Sequence, residues 1–259
     1  MKTVTFFRLA MAAFCLFVVS AVSVPAHAET DISAIKAAPE SIAMGAQYDG
    51  IDLTVHGTVP EGSDVVLRFT GPPADMHLRE KGKLFGLLWM NVGKVAVKNV
   101  PNVCLVDSSR PFDQLGAAVA SYRLEGLRDA VEVEKTTELP KIDVAHELIL
   151  LKEQDGMYHE SEGGIVFGKV VDGMQSYTAK LHIPSALSPG KYLVEAAVLR
   201  DGIIIGKNTA PVEAALVGFP KWLSSMAFDN SLLYGVLATI IAIFSGLIIG
   251  MVFQSKGAH

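Results

Sequence analysis

Ile51-Asp52-Leu53-Thr54-Val55 and Val65-Val66-Leu67-Arg68-Phe69, separated by Pro60-Glu61-Gly62, set the character of the chain. The first run alternates apolar with polar residues, the period of a strand buried on one face. Gly71-Pro72-Pro73 ends the second, because proline cannot donate to a ladder. Working outward, Met76 to Lys81 and Leu84 to Met90 read as a hairpin about Lys81-Gly82-Lys83. With Val95 to Val97 and Val103 to Val106, about seven strands lie between Asp31 and Ser108, a spacing that suits an immunoglobulin-like sandwich. The first domain is therefore expected over residues 29–108.

At Ser109-Arg110-Pro111 a capping serine and an early proline announce a helix. Phe112, Leu115, Val119 and Tyr122 recur at helical spacing, and Gly126 can end the run. A second helix is expected from Asp143, its cap, to Gln154, with Gly156 as the stop. The acidic stretch Glu132 to Glu138 joins the two, and Pro140 keeps them apart. β-Structure resumes after Gly163-Gly164: Ile165 to Val171, Tyr177 to Ile183, Tyr192 to Arg200 and Ile203 to Ile205, with turns at Asp172-Gly173 and Asp201-Gly202. Two helices laid over this second sheet give a small α+β module spanning 109–218. The fold class expected is thus mainly β, a sandwich followed by the α+β module and one C-terminal transmembrane helix.

A composition of 50% hydrophobic and 19% charged residues is too apolar for an ordinary soluble protein, and two blocks carry most of the excess. Leu9 to Val24 follows Lys2 and Arg8 and leads to Ala26-His27-Ala28, a small-x-small processing pattern. Residues 1–28 therefore read as a cleavable signal peptide, the run being short of the about 20 residues a membrane crossing needs. Leu232 to Phe253 contains no charge and, at 1.5 Å per residue, spans about 33 Å as a helix. Its thirteen Leu, Ile, Val and Phe residues favour insertion by about 4–8 kcal/mol. Export of the N-terminus followed by one span places residues 29–231 in the periplasm, 232–253 across the inner (cytoplasmic) membrane and 254–259 in the cytoplasm. Between domain and span, residues 219–231 form a juxtamembrane segment in which Phe219, Trp222, Leu223 and Met226 share a helical face, with Trp222 as interfacial anchor. A plain linker is the alternative.

Setting aside Lys2 and Arg8, the 22 basic residues fall to 20 against 27 acidic ones, a net charge of −7 that argues against a nucleic-acid partner. Only Cys104 remains once Cys15 leaves with the signal, so no internal disulfide forms. Between Val103 and Leu105, Cys104 reads as a small buried hydrophobe, with a nucleophilic thiol as the alternative. Histidines are scattered, and His159-Glu160-Ser161-Glu162, the one local cluster, reads as a solvated loop. No metal-ligand spacing, Gly-x-Ser-x-Gly elbow or phosphate loop occurs, and no cofactor, metal or catalytic residue is expected.

Two surfaces remain. His77, Arg79 and Lys81 alternate along one strand with Lys83 beyond, a face suited to a small anion or lipid headgroups, or simply a charged edge guarding against aggregation. In the span, Ala238, Ala242, Gly246 and Gly250 recur every four residues and line a face that lets another helix approach closely.

The ordered set Thr70-Gly71-Pro72, Trp89-Met90-Asn91, Ser109-Arg110-Pro111, Leu187-Ser188-Pro189-Gly190-Lys191-Tyr192, Arg200-Asp201-Gly202 and Leu233-Tyr234-Gly235 resembles an alphaproteobacterial family of transmembrane proteins of unknown function. The resemblance covers essentially the whole chain after the signal, though Cys104 and the weakly basic tail depart from it. It carries over no catalytic residues, and it implies a genetic neighbourhood with permeases resembling sulfite exporters. The function expected is a non-enzymatic, membrane-anchored accessory protein in contact with the lipid bilayer and with a multi-pass membrane protein or a second copy. A small-anion sensor and a thiol enzyme using Cys104 are the competing classes.

Overall fold

The computed structural model describes residues 35–85, 87–135 and 143–254. The expected signal peptide, its processing site, Pro140 and the tail from 255 onward lie outside the described residues. Thirteen strands are described: β1 Lys36–Ala38, β2 Ser41–Met44, β3 Ile51–Pro60, β4 Asp64–Thr70, β5 Pro73–Leu84, β6 Leu88–Pro101, β7 Cys104–Ser108, β8 Glu132–Lys135, β9 Tyr158–Glu162, β10 Val166–Val171, β11 Met174–Ile183, β12 Gly190–Arg200 and β13 Ile203–Leu216. Four α-helices are described: α1 Leu124–Ala130, α2 Val144–Gln154, α3 Gly218–Asp229 and α4 Ser231–Gln254.

Two sheets face each other, ordered β1-β3-β11-β10 and β2-β13-β12-β4-β7-β9. Inward residues of both, among them Leu53, Val55, Tyr177, Leu181, Leu67, Phe69, Val194 and Val198, share one buried core. In immunoglobulin terms the first sheet is A-B-E-D and the second A′-G-F-C followed by two further strands. Strands β1 and β2, either side of Pro39, join opposite sheets, β2 lying parallel to β13. Tyr192, two residues into β12, donates its hydroxyl hydrogen bond back to the Ser188 carbonyl at 2.6 Å, which is the tyrosine corner of this fold. Val194, fully buried, stands where antibody domains place the second cysteine of their inter-sheet disulfide.

The sandwich is present, but its expected boundary at residue 108 is not. β3 pairs with β11 over ten residues and β4 with β12 over seven, so each sheet draws strands from both sides of that point. Seven described strands precede residue 109, spread over three sheets, but the expected runs Leu84 to Met90 and Val95 to Val97 fall in one strand, β6, and the short β1 and β2 make up the number. The later strands complete the sandwich instead of founding an α+β module. Physically, Ile51–Val59 and Val65–Phe69 have apolar faces too large for each other alone to cover.

Residues 109–126 also depart from the expected single helix. Gly116 takes φ +82° and divides the run into short 3₁₀ turns, Phe112–Gln114 and Ala117–Tyr122, before α1 begins. Phe112, Leu115, Val119 and Tyr122 are nonetheless all buried. Gly126 lies inside α1 instead of ending it, and the close approach of the preceding turn favours glycine there, since a Cβ would meet Ser121 Cα at 2.8 Å. This segment covers the outer face of the second sheet, where Arg68 sits 4.8 Å over the Tyr122 ring while pairing with Glu195. β4 is consequently covered on both faces, Val66 being buried on the outer side as Val65, Leu67 and Phe69 are on the inner. The stretch beginning at Glu132 supplies β8, and α2 matches expectation: Asp143 accepts from the His146 amide at 3.1 Å, and Gly156 turns at φ +70°.

Between β4 and β7 the chain makes an excursion. β5 and β6 form a long antiparallel arm whose base carries β8 as a third strand, and Leu148 of α2 packs on Val95, Val97 and Val100. The turn is not at Lys81-Gly82-Lys83, where these residues stay extended opposite Asn91, Met90 and Trp89. Leu84 pairs with Leu88, and the reversal falls between them, with Phe85 at φ +52°. Trp89 is a good strand former, and the ladder runs on through Met90, Trp89 and Leu88 past the lysines.

Candidate functional site: membrane-facing elements

The end of the sandwich from which the span departs follows from register. β13 runs toward Leu216, with Ala214 opposite Gly190 of β12, and Leu193 opposite Thr70, the last residue of β4. Thr70 in turn pairs with Cys104 at the start of β7. The chain therefore leaves for α3 and α4 at the same end of the sandwich where the β5–β6 arm is rooted. At that root, Gly71 has no room for a Cβ, which would strike Asn102 and lie 2.9 Å from the Tyr192 ring. Asn102 donates to the Tyr192 hydroxyl at 2.8 Å, and that ring stacks on Phe69 at 5.2 Å.

α3 presents Phe219, Trp222 and Leu223 to solvent, with the two rings 5.7 Å apart, and Asn230 breaks it from α4. Residues Ser231–Phe253 of α4 form one apolar helix long enough to cross a bilayer, buried nowhere along its length. A Cβ on Gly246 or Gly250 would meet nothing, so the lane they form with Ala238 and Ala242 is open. Thr239 returns its hydroxyl to the Gly235 carbonyl at 2.8 Å, which removes the cost of an unpaired donor in lipid.

Along β5, His77, Arg79, Lys81 and Lys83 all lie exposed on one face. The bulge near this point inserts its extra residue in β6, between Asn91 and Gly93, and leaves the alternation of β5 intact. Lys83 Nζ stands 5.3 Å from the centre of the Trp89 ring.

Cys104 is 1% exposed, and burial pushes its thiol up to about 12. At neutral pH it is therefore protonated and a poor nucleophile. We expect iodoacetamide to leave Cys104 unmodified in the folded chain and to alkylate it fully after denaturation, as read by intact mass; rapid alkylation of the native chain would restore the thiol-enzyme reading.

His159-Glu160-Ser161-Glu162 is not a solvated loop. It is β9, in parallel register with β7, an arrangement that needs the long crossover which residues 109–157 provide. Glu160 receives Arg123 at 2.8 Å and the Leu124 amide at 2.6 Å, and Glu162 receives the Phe112 amide at 3.1 Å. The two carboxylates thus tie the covering segment to the sheet edge, a role that only the pairing reveals. Asp107 is buried beside them, and burial raises its pKa while the Ser108 and Gly164 amides hold it at 2.8 and 3.2 Å. An open crevice of 410 Å³ nearby is lined by His159, Lys180 and His182, but Glu153 shares its wall and His182 bonds Asp52 at 2.8 Å. These acidic neighbours weaken its pull on an anion.

An immunoglobulin-like β domain followed, among the described residues, by one apolar helix long enough to cross a bilayer defines a membrane-anchored protein. The family model described as "Putative transmembrane protein (Alph_Pro_TM)" matches residues 34–255, and the chain belongs to that family. No curated protein matches it. Among solved structures, a chain from "Structural basis of T cell specificity and activation by the bacterial superantigen toxic shock syndrome toxin-1" aligns over 71% of this chain and 99% of its own, at 5% identity and a TM-score of 0.24. That likeness is too slight to bear on function.

Proposed function

We propose that the chain is a non-enzymatic accessory protein of the inner membrane, its β domain periplasmic and its C-terminus cytoplasmic, whose span docks on a multi-pass membrane protein. The observation that carries this reading is the open lane of Ala238, Ala242, Gly246 and Gly250 on a helix that none of the described residues covers. In lipid, where apolar side chains gain little by leaving the acyl chains, close approach along small residues is what favours helix association. The neighbourhood implied by the family resemblance makes a permease resembling sulfite exporters the partner to test first.

The test is co-purification from detergent-solubilised membranes. Gly246→Leu with Gly250→Leu fills the lane by two bulky side chains and is expected to abolish recovery of the partner. The same substitutions at Ile241 and Phe244, on the opposite side of the helix, are expected to leave it unchanged. Undiminished recovery of the partner by the glycine variant would refute packing along this face.

A further inference from the structure

We propose that the tip of the β5–β6 arm is a second membrane contact, seated in the headgroup region of the bilayer that the span crosses. The proposal rests on the reading of the chain as membrane-tethered, and four features of the arm carry it.

First, the tip is apolar where water would have it polar. Phe85 and Leu87 are 88% and 84% exposed, and Leu88, Trp89 and Met90 are exposed beside them. Second, Phe85 holds φ +52°, a left-handed conformation in which a bulky residue is strained and glycine or asparagine favoured. An aromatic ring that packs on nothing in the fold and strains its own backbone serves contact with something outside it. Third, β8 supports the arm only from Val95 to Lys98. Beyond that the arm is a bare two-stranded ribbon, which is marginal in water without a surface to lie against. Fourth, β5 alone, 12 residues at about 3.3 Å each, gives the arm a reach of roughly 40 Å from the end of the sandwich that also releases the span.

The chemistry of the tip selects lipid. Trp89 is amphipathic, with an indole N–H for the headgroup layer and a ring for the acyl boundary. Lys81 and Lys83 stand just behind it on the exposed face, placed to meet lipid phosphates, and Lys83 already lies over the Trp89 ring. α3 repeats the pairing of Phe and Trp on the chain's own approach to the membrane. The arm and α3 thus form two supports beneath one domain, limiting its tilt relative to the bilayer.

The chain has two tryptophans, Trp89 and Trp222, so each can be read alone. The full-length Trp222→Phe variant would be reconstituted in vesicles of brominated phosphatidylcholine with phosphatidylglycerol. Trp89 emission is expected to shift to the blue and to be quenched by the brominated chains while escaping aqueous iodide. Lys81→Glu with Lys83→Glu, in the same background, should reverse this protection in anionic vesicles. Iodide quenching of Trp89 without bromolipid quenching would overturn the proposal while leaving the membrane tether intact. Protection from both quenchers would assign the tip to a second copy and overturn it equally. Release of the full chain from vesicles by alkaline carbonate would sink the tether and the arm contact together.

Discussion

Ile241→Arg combined with Phe244→Arg is expected to release the chain from membranes into the alkaline carbonate supernatant, where the unmodified chain pellets. Both positions lie near the middle of Ser231–Phe253, where the helix is apolar on every side. Each arginine there costs about 2.5–3.5 kcal/mol, so the pair costs about 5–7 kcal/mol. The thirteen Leu, Ile, Val and Phe positions favour insertion by about 4–8 kcal/mol, two of which the variant also forfeits. The sum is near zero, and stable integration is lost. Leucine at the same two positions should change nothing. An arginine variant that still resists carbonate would mean that α4 is held by protein contacts and not by lipid.

Tyr192 carries the second large effect. Its hydroxyl donates to Ser188 and accepts from Asn102, while its ring lies flat on Phe69 with 5° between the planes. Tyr192→Phe keeps the ring and removes both hydrogen bonds, stranding the Asn102 amide in a buried site where its Oδ1 already lacks a partner. The expected loss is about 1–3 kcal/mol. Tyr192→Ala also removes the ring from the core, for about 3–5 kcal/mol in all. Denaturant unfolding of the full chain in detergent, followed by near-ultraviolet circular dichroism, should rank the unmodified chain above Phe and Phe above Ala. Equal midpoints for the Phe variant and the unmodified chain would show that the corner is dispensable.

What the sequence disclosed divides by range. Asp172-Gly173 and Asp201-Gly202 are type I′ turns with both residues at positive φ, as their composition demands. Asp143 caps α2, and the span is an uninterrupted helix, both fixed by residues a few positions apart. The partnership of β3 with β11 was not visible, because nothing in Ile51–Pro60 records which distant strand completes its ladder. The misplaced boundary at residue 108 follows directly. Gly116 could have warned that the stripe from Phe112 to Tyr122 was not one helix, since a glycine amid small residues weakens the pattern it interrupts.

The span, α3 and the β5–β6 arm were partly legible for the same reason. The lane of small residues and Trp222 are local patterns and could be named outright. The cationic face of β5 was also local, but the apolar tip beside it was hidden by placing the turn four residues too early. The tyrosine corner was missed although Ser188-Pro189-Gly190-Lys191-Tyr192 was in view, because its meaning depends on a strand start following two residues of turn.

The interleaving of early and late strands sets the timing of synthesis. β3 and β4 each lack one of their two ladder partners until β11 and β12 have been made, and β13, which seals the second sheet, ends at Leu216, only 15 residues before α4 begins at Ser231. The nascent polypeptide must therefore be kept open, with its apolar strands shielded, until the anchor itself is about to leave the ribosome. Closure of the domain and capture by the bilayer become nearly one event, and an unfinished product has no stable body to release.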